Sequence, residues 1–529
     1  MANAALSDAG MEAGEPTEQH GGWPTHWIVQ VDDEAAMVRL ASELSQFVIP
    51  GDLITLGGGL GVGKTTFARA LIRALAGDPA LEVPSPTFTL IQTYDGPKFQ
   101  IVHADLYRVE NPRELDGIGW SETSADAVLL VEWAERAGAP LAVDRLDIAF
   151  AIDPKRPQAR IVTLTGQGAL AARLAMAKAI ALLLRQAGMS GARREHLQGD
   201  ASTRAYERLH LAPGAPAPTA ILMIAPKRPD GPPVRNGKPY SQIAKLAEDV
   251  KPFVAVAKGL AERGFSAPRI YASDLAAGLL VLEDLGPGLV VEDGAPVEER
   301  YAEAVAVLAE LHRRPLPSEL TVENDIRHPI PRADLETMLI EAELMPDWYL
   351  PHKGRHALSA TARIAFVDLW TRALQPILAQ PPTWLLRDYH SPNLVWMPER
   401  EGLKRVGLLD FQDCLMGPPA YDVVSLLQDA RVDVPDDMEL RLLGHYARLR
   451  RQGQPGFDVA GFARAYAVMG AQRATKILGI FARLNKRDGK PQYLRHLPRI
   501  ERNVARCLAH PALADMKQWY EAHLPELFA

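Results

Sequence analysis

A β-rich run, a glycine loop and a helical run follow one another between residues 52 and 77. That succession constrains the fold more than any other feature of the chain. The loop reads Gly58-Gly59-Leu60-Gly61-Val62-Gly63-Lys64-Thr65. Glycines at such a loop let backbone N–H groups turn inward around phosphate oxygens, and the helix that follows adds its positive end. Lys64 is expected to reach the β- and γ-phosphates, and the Thr65 hydroxyl to ligate Mg²⁺. Gly58, Gly61, Gly63, Lys64, Thr65 and Thr66 are therefore the expected nucleotide contacts. Asp52 to Leu56 enters the loop as a strand. Thr65 to Ala76 leaves it as a helix, with Phe67, Leu71 and Leu75 on one face and Gly77 as the stop.

More than three hundred positions later a second constellation occurs, Asp388-Tyr389-His390-Ser391-Pro392-Asn393 followed by Asp410-Phe411-Gln412. Phosphoryl transfer to a hydroxyl needs a base near the acceptor and metal ions bridging the phosphates. Asp388 fits the base, and Asn393 and Asp410 fit the metal ligands. The apolar run Val406 to Leu409 is expected to be the strand presenting Asp410. Leu386 stands where protein kinases have His, and Gln412 where they have Gly. No G-x-G-x-x-G loop is present, and Gly199-Asp200-Ala201-Ser202-Thr203-Arg204 is its expected substitute. Glu283 to Leu285 reads as the hinge under an adenine, which makes Glu283 and Leu285 nucleotide contacts. Lys227 reads as a solvated loop lysine, with a phosphate contact as the alternative. The two motifs belong to different folds, so two domains are expected, each using ATP and Mg²⁺.

Length agrees with this division: 529 residues exceed one hydrophobic core. The 47% apolar and 23% charged fractions are those of ordinary globular chains, and a net charge of −7 argues against a surface that coats nucleic acid. Cys414 and Cys507 alone cannot build a disulfide framework, which points to a reducing cytoplasm. No apolar run is long enough to span a membrane. Residues 1–22 are small, acidic and Gly-containing and read as a disordered tail. The first domain spans 23–167, a helical segment 168–192 and the second domain 193–529. Residues Gln167 to Ala187 read as a connector or as the first helix of the second domain.

Within the first domain a helix is expected over Asp32 to Phe47 with Asp33 as its cap. Strands are expected at Phe99–His103, Ala127–Val131, Leu146–Ile152 and Arg160–Leu164, with Pro154 and Pro157 marking the turn between the last two. The second domain opens with strands at Tyr206–Leu211, Ala220–Ile224 and Leu279–Leu282. From Val297 onward helical patterns dominate.

Asp105 follows the strand Ile101-Val102-His103 as a metal-supporting carboxylate, and Glu132 ends Val128–Val131 where it would face the γ-phosphate. Alone, each also reads as a surface carboxylate at a strand end. Ser85-Pro86-Thr87-Phe88-Thr89-Leu90, His103-Ala104-Asp105-Leu106-Tyr107-Arg108 and Glu132-Trp133, with the glycine loop, resemble the signatures of the TsaE family over residues 27–166. The resemblance implies an α/β P-loop NTPase. It would hydrolyse ATP beside the subunits TsaD and TsaB during formation of N6-threonylcarbamoyladenosine at tRNA position 37. It implies that Lys64 contacts phosphate, that Thr65 and Asp105 serve Mg²⁺, and that Glu132 and Trp133 belong to the hydrolytic or nucleotide-sensing site. Val62 replaces a smaller residue often seen in this loop. Ser85 to Leu90 is expected to act as a switch-like loop.

Leu386–Leu394, Gly417–Arg431, Gly479-Ile480-Phe481-Ala482-Arg483-Leu484 and Arg487-Asp488-Gly489-Lys490 resemble the aminoglycoside phosphotransferase family over residues 193–525. The resemblance implies an α+β two-lobed kinase-like fold. Within that family the chain resembles kinases that phosphorylate N-acetylmuramate and N-acetylglucosamine at the anomeric hydroxyl in cell-wall recycling. Another hydroxyl acceptor, or a scaffold without catalysis, is the alternative. Arg473, Lys476, Arg483, Lys486, Arg487 and Lys490 either hold an acidic acceptor or form a solvated helix face. Glu341, Glu343, Trp348 and Tyr349 either line the acceptor pocket or, for the two aromatics, pack in the core. Asp388, Glu132 and Lys64 are the catalytic candidates.

Overall fold

The structure is a computed structural model that describes residues 25–111, 126–138, 142–197, 204–215, 217–227 and 229–528. The tail expected at 1–22, and residues 199–203 of the expected phosphate-loop substitute, lie outside the described residues. Two compact units divide between Gly191 and Ala192.

The first unit is built on one seven-stranded mixed sheet. Its strands are β1 (Thr25–Val31), β2 (Leu53–Gly57), β3 (Ile91–Asp95), β4 (Gln100–Asp105), β5 (Ala127–Glu132), β6 (Arg145–Asp153) and β7 (Arg156–Gln167). The spatial order is β1-β7-β6-β2-β5-β4-β3. β2 runs parallel to β5 and β6, and β4 parallel to β5; the outer pairs are antiparallel. Parallel strands buried on both faces read as near-continuous apolar runs, as Ala127–Glu132 does.

Helices α1 (Glu34–Ser45) and α2 (Lys64–Ala76) cover one face. Asp33 caps α1, its side chain accepting from Ala36 N at 2.7 Å. Gly77 ends α2 in the left-handed conformation at φ +69°. Phe67, Leu71 and Ile72 of α2 are fully buried, and each such burial contributes roughly 1.5–3 kcal/mol. The third helix, α3 (Ala169–Gln186), packs on β1 and β7 rather than standing off as a connector. Leu170 and Leu174 enter the same core, and Arg173 bonds Phe47 O at 3.0 Å and pairs with Asp52. Pro157 lies inside β7 and not in the turn. The register shifts between Ile152 and Asp153, and such a bulge tolerates a residue without an N–H.

The second unit begins with a five-stranded antiparallel sheet that includes β8 (Arg193–Leu197), β9 (Ala205–His210) and β10 (Thr219–Ile224). Strands Leu279–Glu283 and Ile270–Asp274 extend it beyond β10. The remainder is helical, around a large core containing the fully buried Trp370 and Trp384. Its longest helix is Val459–Asp488. Gly479 lets that helix touch the Leu344 backbone, since a Cβ there would lie 2.3 Å from Leu344 C. Between the helices, Leu394–Trp396 pairs with Val406–Leu408, and Thr383–Leu385 with Leu415–Gly417. Among the described residues no helix is long and apolar enough to cross a membrane.

Candidate active sites

In the first unit the sheet register gathers the site. Leu56, the penultimate residue of β2, pairs with Glu132 of β5, and Glu132 pairs with Asp105 of β4. Both carboxylates therefore stand at the carboxyl edge from which the glycine loop springs, the usual ligand edge of such sheets. Gly58 adopts φ +128°, and a Cβ there would lie 2.5 Å from Phe150 O. Gly63 caps α2 at φ +107°. Lys64 is only 5% exposed. Its Nζ donates to Gly58 O and Gly59 O, both at 2.8 Å, and sits 4.0 Å from the centre of the Trp133 ring. Burial lowers its pKa, against the pull of Glu132, Asp105 and Glu135.

The Thr65 hydroxyl donates to Glu132 Oε2 at 3.1 Å, and His103 Nε2 lies 3.0 Å from Glu132 Oε1. Asp105 Oδ2 accepts from Thr87 Oγ1 at 2.7 Å and Ser85 Oγ at 3.2 Å, and Oδ1 accepts from Tyr107 N at 3.0 Å. The Ser85–Leu90 segment is thus tied to Asp105 through side chains. Trp133 holds φ +61° and packs against Tyr107 at 5.2 Å. Lys64, Thr65, Asp105, Glu132 and Trp133 are brought together at this edge. His103 had no assigned use, yet period-two alternation puts it on the same face as Asp105.

In the second unit Asn393 Nδ2 donates to Asp388 O at 2.9 Å and lies 3.5 Å from Asp410 Oδ2. Asp410 Oδ1 accepts from Gln412 Nε2 at 2.7 Å and faces Arg204 Nη1 at 3.4 Å. Arg387 and Asp410 adopt positive φ, +73° and +57°, strain of about 1–3 kcal/mol each that the surroundings must hold. Asp422 does part of this, accepting from Leu386 N at 2.6 Å and Arg387 N at 2.9 Å. Asp429 accepts from Ser391 N at 2.9 Å and Ser391 Oγ at 2.6 Å. Both acids lie in the quoted Gly417–Arg431 stretch, but sequence alone gave them no role.

Asp388, Asn393 and Asp410 open on one cavity of about 460 Å³, with Arg473, Lys476, Phe481 and Tyr493 on its wall. Burial alone would raise the Asp388 pKa; His390, Lys476, Arg387 and Arg473 outweigh it and hold the carboxyl below its ordinary value. Burial takes His390 down to about 4, so at neutral pH the pair is a carboxylate beside a neutral imidazole. Burial and the Asp388 charge raise Asp410, a crowding of carboxylates that a divalent cation relieves. Among the described residues no group of three or more His, Cys, Asp and Glu side chains is gathered for a metal. The oxygen donors present suit a hard cation held jointly with substrate phosphates.

Other candidates fall elsewhere. Lys227 is exposed and lines a different cavity, with Lys245 and Gln412. The Glu283 carboxylate accepts from Arg400 Nη2 at 2.6 Å, and Leu285 packs against Val395 and Met397. Arg483 and Trp348 border a third cavity of about 610 Å³. Lys486 and Arg487 are exposed. Tyr349 is core, its hydroxyl donating to Glu501 Oε1 at 2.5 Å. Glu343 accepts from Arg235 and Arg363, both at 2.8 Å. Glu341 is a buried hub that pairs with Arg387 and, at 2.8 Å, with Lys476. Burial would raise its pKa, but Arg387 and Lys476 take it down to about 2.

The sequence profile described as "Threonylcarbamoyl adenosine biosynthesis protein TsaE" matches residues 31–161, and that described as "Phosphotransferase enzyme family" matches 193–460. The chain is 38% identical over 347 residues to the N-acetylmuramate/N-acetylglucosamine kinase of Caulobacter vibrioides, covering 64% of this chain and 94% of that one. It is 39% identical over 105 residues to the tRNA threonylcarbamoyladenosine biosynthesis protein TsaE of Rickettsia conorii, covering 20% of this chain and 59% of that one. Against the TsaE of Rickettsia bellii it is 37% identical over 105 residues, covering 20% of this chain and 72% of that one.

Proposed function

Since this chain belongs to the phosphotransferase enzyme family through its second unit and to the TsaE family through its first, we propose a bifunctional enzyme with one ATP-dependent reaction in each unit. In the second unit ATP phosphorylates an N-acetylated amino sugar, N-acetylmuramate or N-acetylglucosamine, at its anomeric hydroxyl. Asp388 accepts the proton of that hydroxyl as the γ-phosphoryl group moves to the oxygen. Asn393 and Asp410 would hold Mg²⁺, which neutralises charge on the phosphates when bound. Such a product belongs to the recycling of cell-wall sugars. The observation that carries this reading is the convergence of Asp388, Asn393 and Asp410 on one cavity. Incubating the protein with ATP and each sugar, with products read by mass spectrometry, tests it. A sugar 1-phosphate is expected; no phosphorylated sugar from either acceptor overturns the reading.

In the first unit ATP is hydrolysed at the glycine loop. Lys64 contacts the phosphates, and Thr65 and Asp105 would hold Mg²⁺. Glu132 orients water at the γ-phosphate, and Trp133 covers Lys64. TsaD and TsaB are the partners, and threonylcarbamoyladenosine formation on tRNA in the cytoplasm is the process served. Support comes from the shared edge that the register gives Asp105, Glu132 and the loop. In cells with no other TsaE, Lys64→Ala should abolish the tRNA modification, and unchanged modification contradicts this assignment.

A further inference from the structure

The helix Val459–Asp488 turns one face to the cavity that contains Asp388. Arg473, Ile477, Phe481 and Leu484 recur at helical spacing along that face. Lys476, one turn from Arg473, is spoken for: it pairs with Glu341 at 2.8 Å and donates to Tyr421 OH at 3.2 Å. Arg473 is different. It is only 5% exposed, yet its guanidinium makes no hydrogen bond or ion pair with any described residue, its charge reaching Asp388 and Asp422 only from beyond that range. Other buried arginines of this unit have partners. Arg387 pairs with Glu341, and Arg450 donates to Tyr446 OH at 3.0 Å. A buried charge is costly unless paired and hydrogen-bonded. None of the Arg473 nitrogens is among the sealed, unpartnered atoms of the core, so the group opens onto the cavity. The site is therefore built for an anion that arrives with the substrate.

Two anions enter such a cavity, the phosphoryl group and a charge on the acceptor. The company that Arg473 keeps favours the acceptor. Ile477, Phe481 and Leu484 continue its helix face, and Tyr493 stands on the same cavity wall. Such a surface suits a sugar ring and an acetyl methyl, whereas a triphosphate needs polar donors on all sides. N-acetylmuramate differs from N-acetylglucosamine by one lactyl ether on O3, which adds a carboxylate. We propose that Arg473 is a specificity-determining residue that binds the carboxylate of an acidic amino-sugar acceptor, in a pocket where a neutral sugar leaves it unpaired. This rests on the sugar-kinase reading above.

The experiment measures kcat/KM of the full chain for N-acetylmuramate, its neutral methyl ester and N-acetylglucosamine, in wild type, Arg473→Gln and Arg473→Lys. Arg473→Gln should lower kcat/KM for N-acetylmuramate about 10–100-fold, mostly through KM, the scale of one charge-assisted pair. The loss on N-acetylglucosamine should be at least about tenfold smaller, since any change at Asp388 is common to both acceptors, and the activity that remains shows the variant to be folded. Esterification should cost the wild type as much as the substitution does, and should cost Arg473→Gln nothing further. Arg473→Lys keeps the charge and should recover part of the loss. If Arg473→Gln does not fold, the muramate-to-glucosamine ratio of Arg473→Lys decides, and it must fall. Equal losses on all three acceptors would assign Arg473 to the phosphoryl group and overturn the proposal, as would no loss on any. A wild type that phosphorylates neither sugar would instead sink the sugar-kinase reading, and the proposal with it.

Discussion

The Thr65 hydroxyl donates to Glu132 Oε2 across 3.1 Å, while the other oxygen of the same carboxylate lies 3.0 Å from His103 Nε2. One carboxylate thus links the first turn of α2 to β4 by way of β5. Glu132 and His103 are both buried, and His103 Nδ1 has no hydrogen-bond partner among the described residues. Among the described residues the imidazole has one hydrogen bond, and together with the Thr65 hydroxyl it fixes where Glu132 points.

His103→Ala should therefore slow ATP hydrolysis more than it weakens nucleotide binding. A small displacement of a group that orients a reactant costs up to about 10²-fold. The expected result is a fall of that order in kcat, with nucleotide affinity changed less than about threefold. Steady-state hydrolysis and a nucleotide titration on the same preparation check it. An unchanged kcat would leave His103 as packing alone.

Gly58→Ala should disable the loop. The added Cβ meets Phe150 O at 2.5 Å, a backbone atom that cannot rotate away, and φ +128° is unfavourable for any side chain. Nucleotide affinity at the first site should drop by about tenfold or more, with a loss of about 1–3 kcal/mol in stability of that unit. Calorimetric titration with nucleotide and a thermal melt check both parts.

Asp388→Asn should reduce sugar phosphorylation by about 10²–10⁴-fold, the usual worth of a positioned base. ATP affinity at the second site should change little, because Asn393 and Asp410 remain. A variant with full activity would remove Asp388 from the chemistry.

Glu341→Gln should destabilise the second unit by about 3–5 kcal/mol, since Arg387 and Lys476 lose a buried counter-charge. The pH dependence follows from its carboxyl, whose pKa of about 2 lies below the ordinary 4.5. A depressed carboxylate contributes stability that is complete above the unfolded value and lost as pH falls through the folded one. The difference between wild type and variant should therefore be full above pH 4.5 and shrink toward pH 2. Hydrogen exchange in peptides spanning 384–394, followed against pH, measures it.

Much of the first site was legible because its parts are local in sequence. Asp33 at the start of α1, Gly77 at the end of α2 and the glycine loop between β2 and α2 each carry their own signal. The order of the sheet carried none. β2 lies between β5 and β6, strands more than seventy residues away, and only register brings Asp105 and Glu132 to the same edge. β3 escaped notice because Ile91–Asp95 is an edge strand with just one buried side chain.

In the second unit Asp388, Asn393 and Asp410 were readable from spacing alone. The use of Glu341 was not, because an acid on an apolar helix looks the same whether it faces a ligand or a buried arginine. Leu386-Arg387 in place of the kinase His-Arg pair left Arg387 in view, and a buried arginine needs an acid. Arg473 and Lys476 were read with Lys486 and Arg487 as one basic group. Position along the helix divides them: the first two lie in its middle and reach the cavity, while the last two lie in its final turn and are exposed.

If two separate phosphate chemistries reside in one chain, disabling either must spare the other, and a cross-test measures this. Lys64→Ala and Asp388→Asn are each made in the full chain, and each is assayed for ATP hydrolysis with TsaD and TsaB and for sugar 1-phosphate formation. Each substitution should abolish its own reaction and leave the other within about twofold. Loss of sugar phosphorylation in Lys64→Ala, or of TsaD–TsaB-dependent hydrolysis in Asp388→Asn, would show that the two chemistries are not separate.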